Sequence, residues 1–290
     1  MGYDLIMAKP ILIDTHAHVN FKDYKKDGPA VIERALKSGI WLINVGAQYS
    51  SSQRAVQYTK KYEQGVYAAV GLHPSHVHKD NLGQDKAVQG ENRELEEFDE
   101  KKYIKLLENP KTVAMGEIGL EYNDEISQEA KDKQKGIFIE QLELAQQMNK
   151  PIIFHCRKAY DDLIELLTMF NLGCVHCPHA CAPPGLKGVV HCFMGRWPQA
   201  EKLLEMDFYL GFNGLITYAR DYDKVIEKLP LEKILLETDC PYLTPAPHRD
   251  KRNEPSYVKY VAEKIAQIKK VSFKEVAQKT TENAQELFGV

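Results

Sequence analysis

In "ILIDTHAHVN", residues 11–20, two histidines one residue apart close an apolar run. Side chains of a β-strand alternate between faces, so His16 and His18 point the same way and can grip one ion. Taken alone, the segment serves equally well as a pair of surface histidines near a turn. Other apolar runs then deliver further metal-competent groups. "VAMGEIG" brings Glu117, "PIIFHC" His155, "GVVHCF" His191 and "ILLETD" Asp239. Crowding such groups into a partly buried pocket is costly unless cations balance them. Imidazoles mixed with carboxylates suit Zn²⁺ or Mn²⁺, and Mg²⁺ where water completes the shell. The six ligands can hold two divalent ions. A bridging carboxylate keeps such ions about 3.5–4 Å apart, where they activate water and neutralise the oxygens of an in-line displacement. This is the chemistry of hydrolysis.

Groups so far apart in sequence converge only if a scaffold brings strand ends together. Eight short β-rich runs supply candidate strands: 11–14, 41–46, 66–71, 112–116, 151–155, 188–193, 208–214 and 234–239. Between them lie helical patterns such as "EAKDKQKGIFIEQLELAQQM", where Ile137, Gln141, Leu144 and Met148 mark one side. The alternation predicts βα units and a parallel sheet. Eight units in a chain of 290 residues predict a TIM (β/α)₈ barrel, since a doubly wound open sheet usually has fewer strands. In that barrel all C-terminal strand ends open on one face. Helices after the eighth strand close the fold, with Ser272 and Glu275 as a capping-box pair. The polar stretch 75–100 reads as a solvated loop and helix carrying His76 and His78. The whole chain, 1–290, reads as one domain.

A net charge of −3 gives no global attraction to nucleic acid, so a polyanion must be held by a local patch or by metal. The start has no export signal, and Ile6 breaks the myristoylation pattern. No apolar run approaches membrane-spanning length. The expected location is the cytoplasm, with the six cysteines reduced.

The series "DTHAH", "GLHPS", "GEIGLEY", "PIIFHCRKAYDD", "VVHCFMG", "LGFNG", "LLETDCPYLTP" and "RNEP" resembles the TatD family of metal-dependent deoxyribonucleases, within the amidohydrolase superfamily, over nearly the whole chain. The resemblance implies a TIM barrel with up to two divalent ions and phosphodiester cleavage in DNA, often exonucleolytic, with RNA as a further substrate for some members. It implies that His16, His18 and Asp239 hold one ion, His155 and His191 a second, and that Glu117 bridges them. Asp239 also reads as the general base, with a role as ligand alone the alternative. His73 stands at a family pocket position, where it serves a phosphate oxygen, the leaving oxygen or a structural role. Substrate grip falls to Arg157 and to Arg249, Arg252 and Asn253 of "PHRDKRNEP"; ordinary surface charge or a salt bridge fastening the loop is the competing reading for its arginines. Tyr242 and Phe193 are candidates for base stacking or for core packing. A monomer is the expected state.

Three features depart from the family pattern. Glu121 replaces the usual Asp, and Asp250 stands where Gly is common in the proposed phosphate loop. An insertion at 171–188 carries Cys174, Cys177 and Cys181 with His176 and His179; Cys-x₂-Cys is zinc-ligand spacing, and a Pro-terminated loop is the alternative. Even if metallated it should lie on the barrel face opposite the catalytic one. Cys156, Cys192 and Cys240 each follow a proposed ligand and are expected to point away from it. Two rival functions remain open: an amidohydrolase or lactonase using the same metals, and a non-catalytic nucleic-acid-binding scaffold.

Overall fold

A computed structural model describes residues 9–81, 94–171 and 185–290. Cys174, Cys177, Cys181, His176 and His179 of the expected insertion lie outside the described residues. Eight strands occur: β1 Leu12–Ala17, β2 Ile40–Val45, β3 Val66–Val70, β4 Thr112–Glu121, β5 Ile152–Arg157, β6 Gly188–Val190, β7 Tyr209–Phe212 and β8 Ile234–Leu236. They form one sheet in sequence order, and every pairing is parallel. The residues after β8 return to β1, where Asp239 N–H donates to His16 O at 2.8 Å and His18 N–H to Cys240 O at 2.9 Å. The barrel is thereby nearly closed.

Each strand is buried along almost its whole length, as expected where helices cover the outside and side chains fill the inside. The helices are α1 Gly28–Lys37, α2 Tyr49–Thr59, α3 Glu100–Leu107, α4 Gln128–Gln147, α5 Tyr160–Asn171, α6 Trp197–Glu205, α7 Asp223–Lys228, α8 Val258–Lys269 and α9 Phe273–Phe288. Helix α4 starts where Ser127 Oγ accepts the Ala130 N–H. It buries Ile137, Gln141 and Leu144 as the pattern predicts, whereas Met148 is its C-cap and only partly buried. Its two buried glutamines act as clamps. Gln141 bonds both backbone groups of Leu72, and Gln134 both of Glu121, fixing the chain just past β3 and at the end of β4. At α9, Ser272 Oγ accepts the Glu275 N–H at 3.1 Å, the serine half of the expected capping box.

The strand limits differ from expectation where they matter most. Strand β4 runs on to Glu121, so Glu117 sits inside it, at a shift of register between Gly116 and Ile118. A second shift separates Asp14 from Ala17 in β1, around His16. Such irregularities re-aim side chains near active sites. At the other extreme, β6 stops at Val190 and β8 at Leu236, leaving His191 and Asp239 on turns.

Candidate metal centre

Glu117 lies at the centre of the mouth. Its Oε1 is 2.6 Å from His155 Nδ1, 2.6 Å from His191 Nε2 and 3.5 Å from His73 Nε2, and its Oε2 is 3.3 Å from His16 Nε2. Asp239 Oδ1 lies 3.3 Å from His18 Nε2 and 3.8 Å from His16 Nε2. All these groups are buried, and the six expected metal ligands do come together. Five of them, His18, Glu117, His155, His191 and Asp239, line a cavity of about 460 Å³ together with Phe21, Cys192 and Tyr242, and His16 lies behind them, fully buried.

Hydrogen bonding sorts the imidazoles by role. His18 Nδ1 bonds the Val45 carbonyl at 2.9 Å, so it carries the proton there and Nε2 presents a lone pair when the ring is neutral. That lone pair faces His16 Nε2 at 3.0 Å as well as the Asp239 carboxylate, a crowd of acceptors that a cation would satisfy. His73 is arranged the opposite way. Its Nδ1 accepts the Ser75 backbone N–H at 3.1 Å, so the neutral ring carries its proton on Nε2 and offers a donor to the cavity. His73, Glu117 and His155 bring ligand atoms within 4.8 Å of one another, yet this tautomer suits His73 to hydrogen bonding rather than ligation. Two further groups of that compactness are His16 with His18 and Glu117, and His16 with His191 and Glu237.

Carboxylates and imidazoles so placed favour one another's charged forms. Burial pushes Glu117 up, but the charges of His191, His73 and His16 and the hydrogen bond from His155 outweigh it and hold its carboxyl well below the usual range. Burial likewise opposes charge on His155, whose hydrogen bonds to Glu117 and Glu121 nonetheless raise it to about 10. His191 and His18 are also raised, against burial, by their carboxylate neighbours. A divalent ion displaces such protons as it binds. His16 Nδ1, His73 Nε2, His191 Nδ1 and Glu237 Oε2 are buried with no hydrogen-bond partner among the described residues, and a set so incompletely satisfied fits a metal site.

Two acids behind the ligands escaped the sequence reading of the site. Glu237 is fully buried; its Oε1 accepts from Cys192 N at 2.7 Å and Asn213 Nδ2 at 3.1 Å, and lies 3.4 Å from His191 Nδ1. Asp14 accepts from the backbone N–H of His16 at 3.2 Å and from Thr238 N–H and Oγ1 at 2.9 and 2.6 Å. Both share strand parity with a proposed ligand, Glu237 with Asp239 and Asp14 with His16, and that signal was available. Glu121 binds His155 Nε2 at 2.6 Å and Arg157 at 3.2 Å, so its extra methylene still reaches the ligand it supports.

Several expectations need correction. Asn253 does not face the cavity: it is fully buried, with its amide nitrogen given to the Thr238 and Tyr242 carbonyls at 2.9 and 2.6 Å. Arg249 lies 3.8 Å over the Tyr218 ring and outside the cavity lining, while Arg252 is paired with Asp27 at 2.5 Å. His76 and His78 are buried rather than solvated, because the segment past β3 folds back so that His76 Nδ1 meets Glu94 O at 3.2 Å. Desolvation and the neighbouring His73 push His76 down to about 4. Cys156 and Cys192 both border the cavity instead of turning away, and for Cys192 the strand ends before it and its φ of 44° breaks the alternation. Phe193 packs against Tyr160 and Phe212 in the core. Arg157, by contrast, stands at the cavity rim as expected.

A profile of the TatD related DNase family matches residues 13–289. A metal-dependent hydrolase of Bacillus subtilis, YabD, is 39% identical over 284 residues, covering 97% of this chain and all of that protein. The 3'-5' ssDNA/RNA exonuclease TatD of Edwardsiella piscicida is 30% identical, over 96% of this chain and 99% of its own. The solved structure of YJJV, a TatD homologue from Escherichia coli, superposes with a TM-score of 0.78 at 29% identity, covering 97% of this chain and 98% of that one. Among the described residues no helix is long and apolar enough to cross a membrane.

Proposed function

The chain belongs to the TatD related DNase family, and from that premise we propose that it is a metal-dependent nuclease hydrolysing phosphodiester bonds in DNA, with RNA as a second substrate, from a strand end inward. The observation carrying this reading is Glu117, whose two oxygens lie within 3.5 Å of ring nitrogens of four histidines. A carboxylate so placed can bridge two divalent ions. His16, His18 and Asp239 would hold one, and His155 and His191 the other. When bound, such ions lower the pKa of water and neutralise phosphate oxygens, whichever of Mg²⁺, Mn²⁺ or Zn²⁺ fills the sites.

The chain's own residues supply the rest. Asp239 accepts the proton of the attacking water, held below the usual carboxylate range by the hydrogen bond from His18 and the charges of His16 and His191 in spite of its burial. His73 donates from Nε2 to a phosphate or leaving oxygen. Arg157, its side chain 40% exposed beside Glu121, meets the phosphate at the rim. The chain works as one monomeric barrel in the cytoplasm. Metal stoichiometry on purified protein, paired with degradation of a single-stranded oligonucleotide before and after chelation, tests the reading. Two equivalents of metal and chelator-sensitive degradation are expected; an inert oligonucleotide beside rapid turnover of lactones would overturn it.

A further inference from the structure

Beside the metal pocket, between the end of β5 and the turn after β6, lies a second cleft of about 740 Å³. Arg157 and Met194 line both cavities, so the two adjoin at these side chains. Cavities of roughly 300–1,000 Å³ hold drug-sized ligands, so a nucleotide unit fits. In a chain of net charge −3, the lining is locally cationic, with Lys131, Arg157, Lys158 and Arg196 against Asp161 and Asp162. Asp162 is already engaged by Lys135 and the Tyr122 hydroxyl, both at 2.7 Å. Lys158 pairs with Asp124 at 2.8 Å, but both side chains are more than half exposed, and such pairs exchange readily for a better anion. Arg196 is exposed at the start of α6. Met194, 38% exposed at the junction, presents an apolar surface where the two cavities meet.

We propose that this cleft is the docking groove for an unpaired nucleic-acid strand running away from the scissile phosphate: Arg157 stands at the junction, Lys158 and Arg196 take further phosphates, and Met194 packs on a base. The inference rests on the nuclease reading and assigns the path that the rest of the strand takes beyond the scissile phosphate. Grooves for single strands combine backbone-tracking cations with surfaces for base faces, and a duplex keeps those faces stacked away. Asp161, on the rim, limits the grip to the side bearing the cations.

The test compares wild type with the Lys158→Ala/Arg196→Ala double variant on a single-stranded 20-mer and on bis(4-nitrophenyl) phosphate, which is too small to reach the groove. The 20-mer kcat/KM should fall about 10-fold and lose roughly 0.7 of salt-dependence slope per phosphate contact removed. Turnover of the small diester should hold within about two-fold, which also certifies folding. With wild type, kcat/KM should rise from a trinucleotide to a 10-mer, and the variant should flatten that rise. An unchanged 20-mer rate, or equal losses on both substrates, would overturn the groove while leaving the nuclease reading intact. A wild type inert on every oligonucleotide would sink the nuclease reading first, and the groove with it.

Discussion

The mouth of the barrel and the loop at 249–254 are built from the same kinds of residue, yet their chemistry is opposite. In the mouth, Glu117 and Asp239 face imidazoles across a buried cavity, and several polar atoms have no hydrogen-bond partner among the described residues. In the loop the polar groups are spent on the protein itself: Arg252 on Asp27, Asn253 on two carbonyls and Arg34 on Glu254 at 2.6 Å. A polar group with its partners in place holds structure together, whereas buried carboxylates and imidazoles crowded on one another suit a cation. Residue type alone does not separate the two, which is why Asn253 resembled a substrate contact.

Substitutions on either side should break or sharpen that contrast. Glu117→Ala should remove the bridge, lowering bound metal and cutting hydrolysis by on the order of 10³-fold or more, beyond the 10²–10³ cost of deleting one aimed donor. Retained metal stoichiometry by atomic emission would show that Glu117 is no bridge. His73→Leu should cost about 10²-fold in kcat through its lost donor with metal content unchanged; loss of an equivalent of metal would make it a ligand after all. Glu237→Gln keeps the shape behind His191 but not the charge, and should weaken metal binding by about 10–100-fold in a calorimetric titration with little change in melting temperature. Equal affinity would reduce Glu237 to a packing group.

The loop should respond in the other currency. Asn253→Ala leaves two buried carbonyls short of a donor and should lower stability by about 1–3 kcal/mol in urea titration, with metal affinity intact. The smallest effect belongs to the Asp27–Arg252 pair. The hydrogen bond from Arg252 depresses the Asp27 carboxyl, so the pair's contribution is present above the ordinary carboxylate pKa of about 3.9 and fades as pH falls through the lower folded value. Because both ends are more than a third exposed, it should stay under about 1 kcal/mol. Urea midpoints of wild type and Arg252→Ala should therefore differ slightly at pH 7 and converge near pH 2; a gap that widened in acid would contradict the sign.

The barrel was legible because its strands are short, β-branched and separated by helical patterns, and the convergence of the candidate ligands because most of them lie at or just past the ends of such runs. What stayed hidden depended on where strands stop. Cys192 and Asp239 take positive φ beyond β6 and β8, where alternation no longer predicts direction. Glu117 was expected at a strand end and instead occupies a register shift inside β4. His76 and His78 sit in a segment whose composition suggests solvent, yet both are buried, His76 against the Glu94 carbonyl. Glu237 and Asp14 were passed over because an acid beside a stronger candidate looks redundant until its partners are seen.

The seam between β1 and the residues after β8 has a further consequence. Asp14 and Thr238, 224 positions apart, are joined there within hydrogen-bond distance, and ligands from both margins of the seam share one cavity. Half a barrel would hold only half of this ligand set. Tight capture of the ion is thus a report on completed assembly: a truncated or partly folded chain would stay without its hydrolytic power, and the catalyst is armed only when first and last strands meet.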